Sequence, residues 1–149
     1  MTESLYPETV RVVLDTSVLV AAALSRRGAS FAIIETIPSR SFEVCLSISL
    51  YMEWMAVLTR EQNLSPDTSV QTTLGFLRRL ASLSRLQDIH YLWRPFLHDP
   101  DDDMVLELAF AGGCDFIVTH NVADFRGSQQ LGISAITPGK FLKLLQNKS

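Results

Sequence analysis

The sequence predicts a three-layer α/β/α sandwich around a central, mainly parallel sheet of about five strands. Short runs of β-branched and apolar residues recur along the chain, and longer segments with helical apolar spacing lie between them. This alternation is typical of parallel sheets that carry helices on both faces. No repeat, low-complexity tract or linker divides the 149 residues, so we expect one domain over 1–149 with a loose N-terminal arm at 1–9.

The composition is that of a compact globular protein, with 47% hydrophobic and 19% charged residues. The longest apolar run, at 18–24, is too short to span a membrane, and no secretory signal opens the chain. Cys45 and Cys114 fall in apolar, strand-like contexts, which favours free buried thiols in a reducing cytoplasm over a zinc site. The net charge of −3 argues against a protein that coats nucleic acid by charge alone.

A polar turn separates the first predicted strand from the first predicted helix. Residues 11–14 form a β-branched run that breaks at Asp15, and an alanine-rich apolar segment follows the turn. We expect Thr16 or Ser17 to cap the helix, because hydroxyl side chains accept hydrogen bonds from the first free N–H groups. Asp15 is then left at the C-terminal end of the strand.

The middle of the chain predicts one strand and three helices. We expect them in the order helix, strand, helix, helix, at 30–37, 42–47, 49–60 and 67–83. The apolar face of the helix at 49–60 comprises Leu50, Trp54, Val57 and Leu58. The apolar stripe of the next helix comprises Val70, Leu74, Leu77 and Leu80.

The last part of the chain predicts three more strands and two more helices. The strands are expected at 89–93, 114–119 and 134–137, and the helices at 99–111 and from residue 138 onward. The helix at 99–111 has the clearest signals, because Asp99 is a good N-cap and Pro100 suits the first helical position. Gly112 and Gly113 should end it.

Acidic and polar residues follow or precede these strands at the sheet edge where parallel α/β folds form their sites. Asp15 ends the first strand, and the triplet at 119–121 ends the fourth. Glu53 lies one turn into the helix after the second strand, and Asp103 lies in the first turn before the fourth. Converging carboxylates repel one another, and a hard cation such as Mg²⁺ or Mn²⁺ is the usual compensation. Such ions can orient water for attack on a phosphodiester.

The acids around Pro100 also have a purely structural interpretation. Acids near a helix N-terminus stabilise it by about 0.3–1 kcal/mol each through the helix dipole, which accounts for Asp99, Asp101 and Asp102. Asp103 shares that explanation, so composition does not single it out. Glu107, one turn further along, is either an auxiliary ligand or an exposed or salt-bridged residue.

Other candidate residues keep two interpretations each. Glu53 also fits a solvated helix position. Lone histidines such as His98 are seldom metal ligands. Trp54 and Trp93 are expected in the core or at a dimer contact rather than stacked on bases, and the turn at 26–28 either contacts RNA or is solvated.

Four blocks of the sequence resemble those of PIN domains. They are LDTSVLVAA at 14–22, EWMAVLTR at 53–60, DPDDDMVLELA at 99–109 and FIVTHNVADF at 116–125. The blocks span nearly the whole chain in the family's order, which makes the set far more specific than any one block. The chain is most similar to the VapC-like group, which is described as the toxin component of bacterial toxin–antitoxin systems.

The resemblance implies a ribonuclease that depends on Mg²⁺ or Mn²⁺ and uses a quartet of acids. The first three acids match Asp15, Glu53 and Asp103. The fourth falls at Asn121, which can offer a carbonyl oxygen but carries no charge. Asp124, three residues further on, is expected to supply the missing carboxylate.

The resemblance also implies substrate contacts and partners. Ser17 and Thr119 match polar positions that bind acids or phosphate, and His120 beside them is expected to contact substrate phosphate. The implied partners are an RNA substrate, an antitoxin protein and a second copy of the chain.

The alternative is a catalytically weakened PIN domain that binds RNA or protein. Haloacid-dehalogenase-like phosphatases and response-regulator receivers fit poorly, because Ser17 replaces the second acid of the former and no acid pair precedes Asp15 as in the latter.

Overall fold

A computed structural model describes residues 9–89 and 100–148 and shows an α/β/α sandwich. Five strands form one sheet in the order β3-β2-β1-β4-β5, and every pair of neighbours is parallel. The strands are β1 (Val10–Leu14), β2 (Phe42–Leu46), β3 (Arg85–Leu86), β4 (Phe116–Val118) and β5 (Ser134–Ile136). The predicted fold class is therefore confirmed.

The described residues form six α-helices between and after these strands. They are α1 (Thr16–Leu24), α2 (Ala29–Glu35), α3 (Ile48–Leu58), α4 (Val70–Ser82), α5 (Pro100–Ala111) and α6 (Pro138–Lys148). Three short 3-10 turns add to them at Glu61–Asn63, Val122–Phe125 and Ser128–Leu131. Within the described ranges no single helix is long and apolar enough to cross a membrane; α1 and α2 meet that criterion only as a pair bent by 100°, on length and composition alone.

The central strand β1 fixes which residues meet at the sheet edge. Val12 pairs with Val44 of β2 on one side and with Phe116 of β4 on the other. At its C-terminal end Leu14 pairs with Val118. Because the two strands are parallel and end in register, the residues that follow them, Asp15 and Thr119, are brought side by side.

Helix α5 is a buried helix rather than an amphipathic surface helix. All six residues from 104 to 109 are buried, and the helix contacts β1, β2, β4 and α3. It ends at Ala111, and Gly113, two residues later, adopts a left-handed φ of 63° that suits glycine. Because α5 runs back along the sheet before entering β4, its first turn lies at the edge where the strands end.

Several predictions about individual elements differ from the structure. A strand that was not predicted lies at Arg85–Leu86, and Ile89, the one described residue of the strand expected at 89–93, is not in a strand. These two exposed residues pair only with the end of β2, so no apolar run marks them. Helix α4 begins at Val70 rather than at residue 67, because Ser69 is the N-cap and accepts the hydrogen bond from the Thr72 N–H. The Val70 side chain, which was expected in the apolar stripe of this helix, is exposed.

The predicted cap of α1 is wrong. The helix begins at Thr16, so Asp15 occupies the N-cap position, and its side chain makes no capping hydrogen bond. The hydroxyls of Thr16 and Ser17 are used elsewhere, in contacts with acidic side chains. Cys114 likewise lies just before β4 rather than in it.

Some predictions fall outside the described residues. They concern the N-terminal arm (residues 1–8), the segment 90–93 of the expected third strand, His98, the N-cap Asp99 and Trp93. Of the two tryptophans, Trp54 is described, and it is fully buried in the core as expected.

Candidate active site

Asp15 lies at the point where β1 becomes α1. Its backbone N–H donates to the Val118 carbonyl at 3.0 Å, which continues the ladder between β1 and β4. Its own carbonyl accepts the first hydrogen bond of α1, from the Val18 N–H at 2.9 Å. The backbone of Asp15 is thus fixed on both sides, and its side chain is 9% exposed.

Two hydroxyl groups hold the Asp15 carboxylate. Ser17 Oγ donates to Asp15 Oδ2 at 2.9 Å, and Thr119 Oγ1 donates to the same oxygen at 2.7 Å. One donor belongs to the helix after β1, and the other follows β4, 104 residues away. Charge-assisted hydrogen bonds of this kind fix the orientation of an acid that would otherwise rotate.

The same two hydroxyls also accept hydrogen bonds from the backbone of the segment that follows β4. Thr119 Oγ1 accepts from the Asn121 N–H at 2.9 Å, and Ser17 Oγ accepts from the His120 N–H at 3.2 Å. The His120 ring is in turn joined to α2, because its Nε2 lies 3.0 Å from Ser30 Oγ. The triplet at 119–121 is therefore tied to Asp15, α1 and α2 together.

Glu53 reaches the same edge from α3. The Thr16 hydroxyl donates a hydrogen bond to Glu53 Oε2. Thr16 follows Asp15 directly, so this bond brings the second predicted acid to the start of α1. Glu53 is half-buried and hydrogen-bonded to Thr16, so it is not a fully solvated helix residue.

Burial separates Asp103 from the other acids of its run. Asp101 is exposed and Asp102 is half-buried, whereas Asp103 is 1% exposed. Glu107, one turn along the same face, is 4% exposed, so it is not the exposed residue that was one of the alternatives. Carboxylates are seldom buried without a compensating partner. The two acids of α5 therefore belong to the buried interface between the helix and its neighbours.

The remaining two predicted residues lie in the exposed segment that follows Thr119. Asn121 and Asp124 are exposed, and Asp124 belongs to the 3-10 turn Val122–Phe125, where its N–H donates to the Asn121 carbonyl at 3.0 Å. No hydrogen bond between described residues joins the side chain of either one to Asp15.

Comparison with known families decides the relationship of the chain. The family model for the PIN domain matches residues 11–123, from β1 to the turn after β4. The chain belongs to the PIN domain family. PIN domains are a superfamily of nucleases, and the match covers Asp15, Glu53 and Asp103 together with the triplet at 119–121. A search of curated protein sequences found no match to this chain.

The donor chemistry of this PIN domain suits a hard divalent cation, but the acids are not gathered into one cluster. Carboxylate oxygens are the ligands that Mg²⁺ and Mn²⁺ prefer. In the described part of the chain, however, no three His, Cys, Asp or Glu side chains form a group able to hold a metal ion. Asp15 and Glu53 instead accept hydrogen bonds from neighbouring hydroxyls. The predicted ligand set of Asp15, Glu53, Asp103 and Asp124 stays a prediction.

Sequence reasoning missed two residues of the site. Thr16 was considered only as a helix cap, although it holds Glu53, and its place in the polar triplet after β1 was the available signal. Ser30 is buried in α2 and contacts His120 across 90 residues of sequence. No local pattern marks Ser30, because its role depends on how α2 packs beside the end of β4.

Proposed function

We propose that this PIN domain is a metal-dependent endoribonuclease that hydrolyses phosphodiester bonds in RNA. One observation carries the proposal: a buried aspartate, Asp15, stands at the end of the central strand and is oriented by hydroxyls from both Ser17 and Thr119. Sites of open parallel sheets form at this edge. The family match, which spans residues 11–123, supplies the nuclease class.

Three acids would hold the cation. Asp15, Glu53 and Asp103 are the proposed ligands, and Glu107 is a further carboxylate on the Asp103 face of α5. A bound Mg²⁺ or Mn²⁺ would supply positive charge against the scissile phosphate and lower the pKa of water. Glu53 accepts a hydrogen bond from Thr16, so its carboxylate would have to exchange that bond for the ion.

The neighbouring polar groups would position the substrate. Ser17 and Thr119 keep the Asp15 carboxylate in one orientation, which limits the reorganisation needed when RNA binds. His120 is exposed beside them, and Ser30 fixes its ring. We assign His120 the role of contacting a phosphate oxygen of the RNA. Asn121 and Asp124, on the exposed rim, would complete the ion's environment.

RNA cleavage in the presence of Mn²⁺ tests the proposal. Asp15→Asn and Asp103→Asn should each lower the cleavage rate by roughly 100-fold or more, because each removes a charge from the proposed cation site. Asp101→Asn is the matched control: it removes a charge from the same helix turn at an exposed position and should leave the rate unchanged. Cleavage that survives both Asp15→Asn and Asp103→Asn would contradict the catalytic assignment.

A binding module without catalysis is the second candidate. Two observations favour it: Asn121 stands where the family has its fourth acid, and the described acids form no three-residue metal cluster. In the presence of millimolar Mn²⁺, a binding module would bind RNA without cleaving it, whereas the nuclease would cleave the RNA that it binds. Filter binding and gel-resolved cleavage on the same RNA separate the two.

We also propose a toxin role, which rests on the resemblance to VapC-like proteins. In that role the partners are a small antitoxin protein that covers the acidic edge and a second copy of the chain. Growth arrest on expression, lost with Asp15→Asn, is the expected result. Light scattering of the purified protein measures the oligomeric state.

A further inference from the structure

Two buried cysteines lie against the same glycine at the far end of α5 from Asp103. Cys45 lies in β2 and is fully buried, and Cys114 precedes β4 and is 5% exposed; both are free thiols. A Cβ atom on Gly112 would meet Cys45 Sγ at 3.2 Å and Cys114 Sγ at 3.3 Å. One methyl group would therefore touch both sulfurs, and the glycine lets them meet at the end of the helix.

The two thiols differ in their readiness to ionise. The hydrogen bond from the Cys114 thiol lowers the pKa of Cys45; burial and the charge of Glu43 oppose this shift, and the charges of Arg11 and Arg85 support it. That same bond and burial raise the pKa of Cys114. Because the thiolate is the nucleophile of cysteine chemistry, we assign Cys45 the role of the attacking sulfur and Cys114 that of the second thiol.

Charged side chains near the thiols lie at the surface. Arg11 Nε pairs with Glu43 Oε1 at 3.3 Å, Arg85 Nη1 lies 3.9 Å from the same oxygen, and these side chains are 40–47% exposed. Arg11 Nη1 also donates to the Gly112 carbonyl at 3.2 Å. Half-exposed ion pairs of this kind contribute little to stability, so we expect local opening at this end of α5 to be the route by which a reagent reaches the buried thiols.

We propose that Cys45 and Cys114 are an oxidative modification site, at which hydrogen peroxide converts the two thiols into an intramolecular disulfide. Cys45 thiolate attacks one peroxide oxygen, the O–O bond breaks, and the products are a Cys45 sulfenic acid and, after protonation, water. The Cys114 sulfur then attacks the Cys45 sulfur and displaces its oxygen, which leaves as water with the Cys114 proton. Each peroxide accepts two electrons, and the two thiols lose two hydrogens.

The disulfide would join β2 to the junction between α5 and β4. It would therefore fix the C-terminal end of the helix whose first turn carries Asp103. The proposal goes beyond the nuclease function and does not depend on it, because it concerns sulfur chemistry at the opposite end of α5.

Mass spectrometry of the reduced, full-length protein treated with hydrogen peroxide tests the proposal. The expected intact mass falls by two hydrogens, both free thiols are lost under denaturing conditions, and a non-reducing digest yields a peptide that contains Cys45 joined to Cys114. Dithiothreitol should restore both thiols. The wild-type protein alone gives this result, so the test does not rely on the folding of a variant.

Single cysteine variants then assign the two roles. Cys114→Ser should accumulate a Cys45 sulfenic acid that dimedone captures, and Cys45→Ser should react at least 10-fold more slowly. Three outcomes would overturn the proposal: thiols that stay unreacted, oxidation to sulfinic acid without a cross-link, or disulfides between molecules in place of the internal one.

Discussion

At the scale of single residues, the hydroxyls around Asp15 matter as much as the acid itself. Thr119 is fully buried and serves two partners, because it donates to the Asp15 carboxylate and accepts from the Asn121 N–H. A buried hydroxyl with both roles filled cannot be removed without leaving a polar group unpaired. The orientation of Asp15 therefore depends on a residue from a different strand.

Replacing Thr119 with valine tests this dependence. Thr119→Val keeps the shape of the side chain but removes its hydroxyl, so the free energy of unfolding should fall by about 1–3 kcal/mol. RNA cleavage should fall by about 10–100-fold, because supporting hydrogen bonds orient the groups that act on the substrate. Denaturant melts and cleavage assays measure the two effects. Thr119→Ser is the control and should stay near wild type, whereas a fully active Thr119→Val protein would disprove the positioning role.

The acids of α5 show what the sequence can and cannot predict about single residues. The acids at 101–103 correctly predicted the start of a helix, but the sequence did not distinguish which of the three would be buried. Only the packing of α5 against β1 and β4 buries Asp103 and Glu107 while leaving Asp101 exposed. Ser30 was invisible for a similar reason, since its partner His120 is distant in sequence.

At the scale of elements, strong local signals were sufficient and weak ones were not. Apolar runs, together with the glycine and proline residues beside them, predicted the positions of β1, β2, β4, β5 and α5 to within a few residues. Strand β3 was not predicted, because its two exposed residues, Arg85 and Leu86, carry no apolar pattern, and their pairing with β2 is what makes them a strand. Edge strands this short are defined by their neighbour rather than by their own sequence.

Alanine should have opposite effects on stability at a crowded glycine, Gly112, and at one with open space around it, Gly75. Gly112→Ala places a methyl group against two sulfurs and 3.3 Å from the Leu108 carbonyl oxygen, so it should lower the free energy of unfolding by about 1–3 kcal/mol. Gly75→Ala, inside α4 with nothing within 4 Å, should raise it by about 0.5–1 kcal/mol. Chemical denaturation measures both. A Gly112→Ala protein as stable as wild type would show that the residues around the C-terminal end of α5 can shift to accommodate a methyl group.

At the scale of the whole molecule, the parallel sheet creates the candidate site. The order β3-β2-β1-β4-β5 places β1 between the strands that lead to Glu53 and to Thr119, and α5 brings Asp103 to the same edge. The fold class was predictable from the alternation of strands and helices, and the strand-end positions of Asp15 and Thr119 from the apolar runs before them. The hydroxyl contacts that hold two of the acids were not, because they depend on rotamers and on register between distant segments.

Binding of a cation to the folded site should appear as thermal stabilisation. With Mn²⁺ at about 100 times its dissociation constant, the free energy of unfolding should rise by about 2.7 kcal/mol, which corresponds to roughly 5–10 °C in Tm for a domain of this size. Differential scanning fluorimetry measures the shift. Asp15→Asn should abolish it and Asp101→Asn should preserve it; an equal shift in both variants would indicate a site elsewhere.

The most direct test of the central claim, that the edge around Asp15 is a metal-dependent catalytic site, is a crystal structure with Mn²⁺ located by anomalous scattering. We predict an ion bound to the Asp15 carboxylate, with Asp103 or Glu53 as a second protein ligand and the Thr16–Glu53 hydrogen bond released if Glu53 takes part. Mn²⁺ bound only outside the triangle of Asp15, Glu53 and Asp103, or no bound Mn²⁺ at all in a crystal whose RNA cleavage activity has been verified, would contradict it.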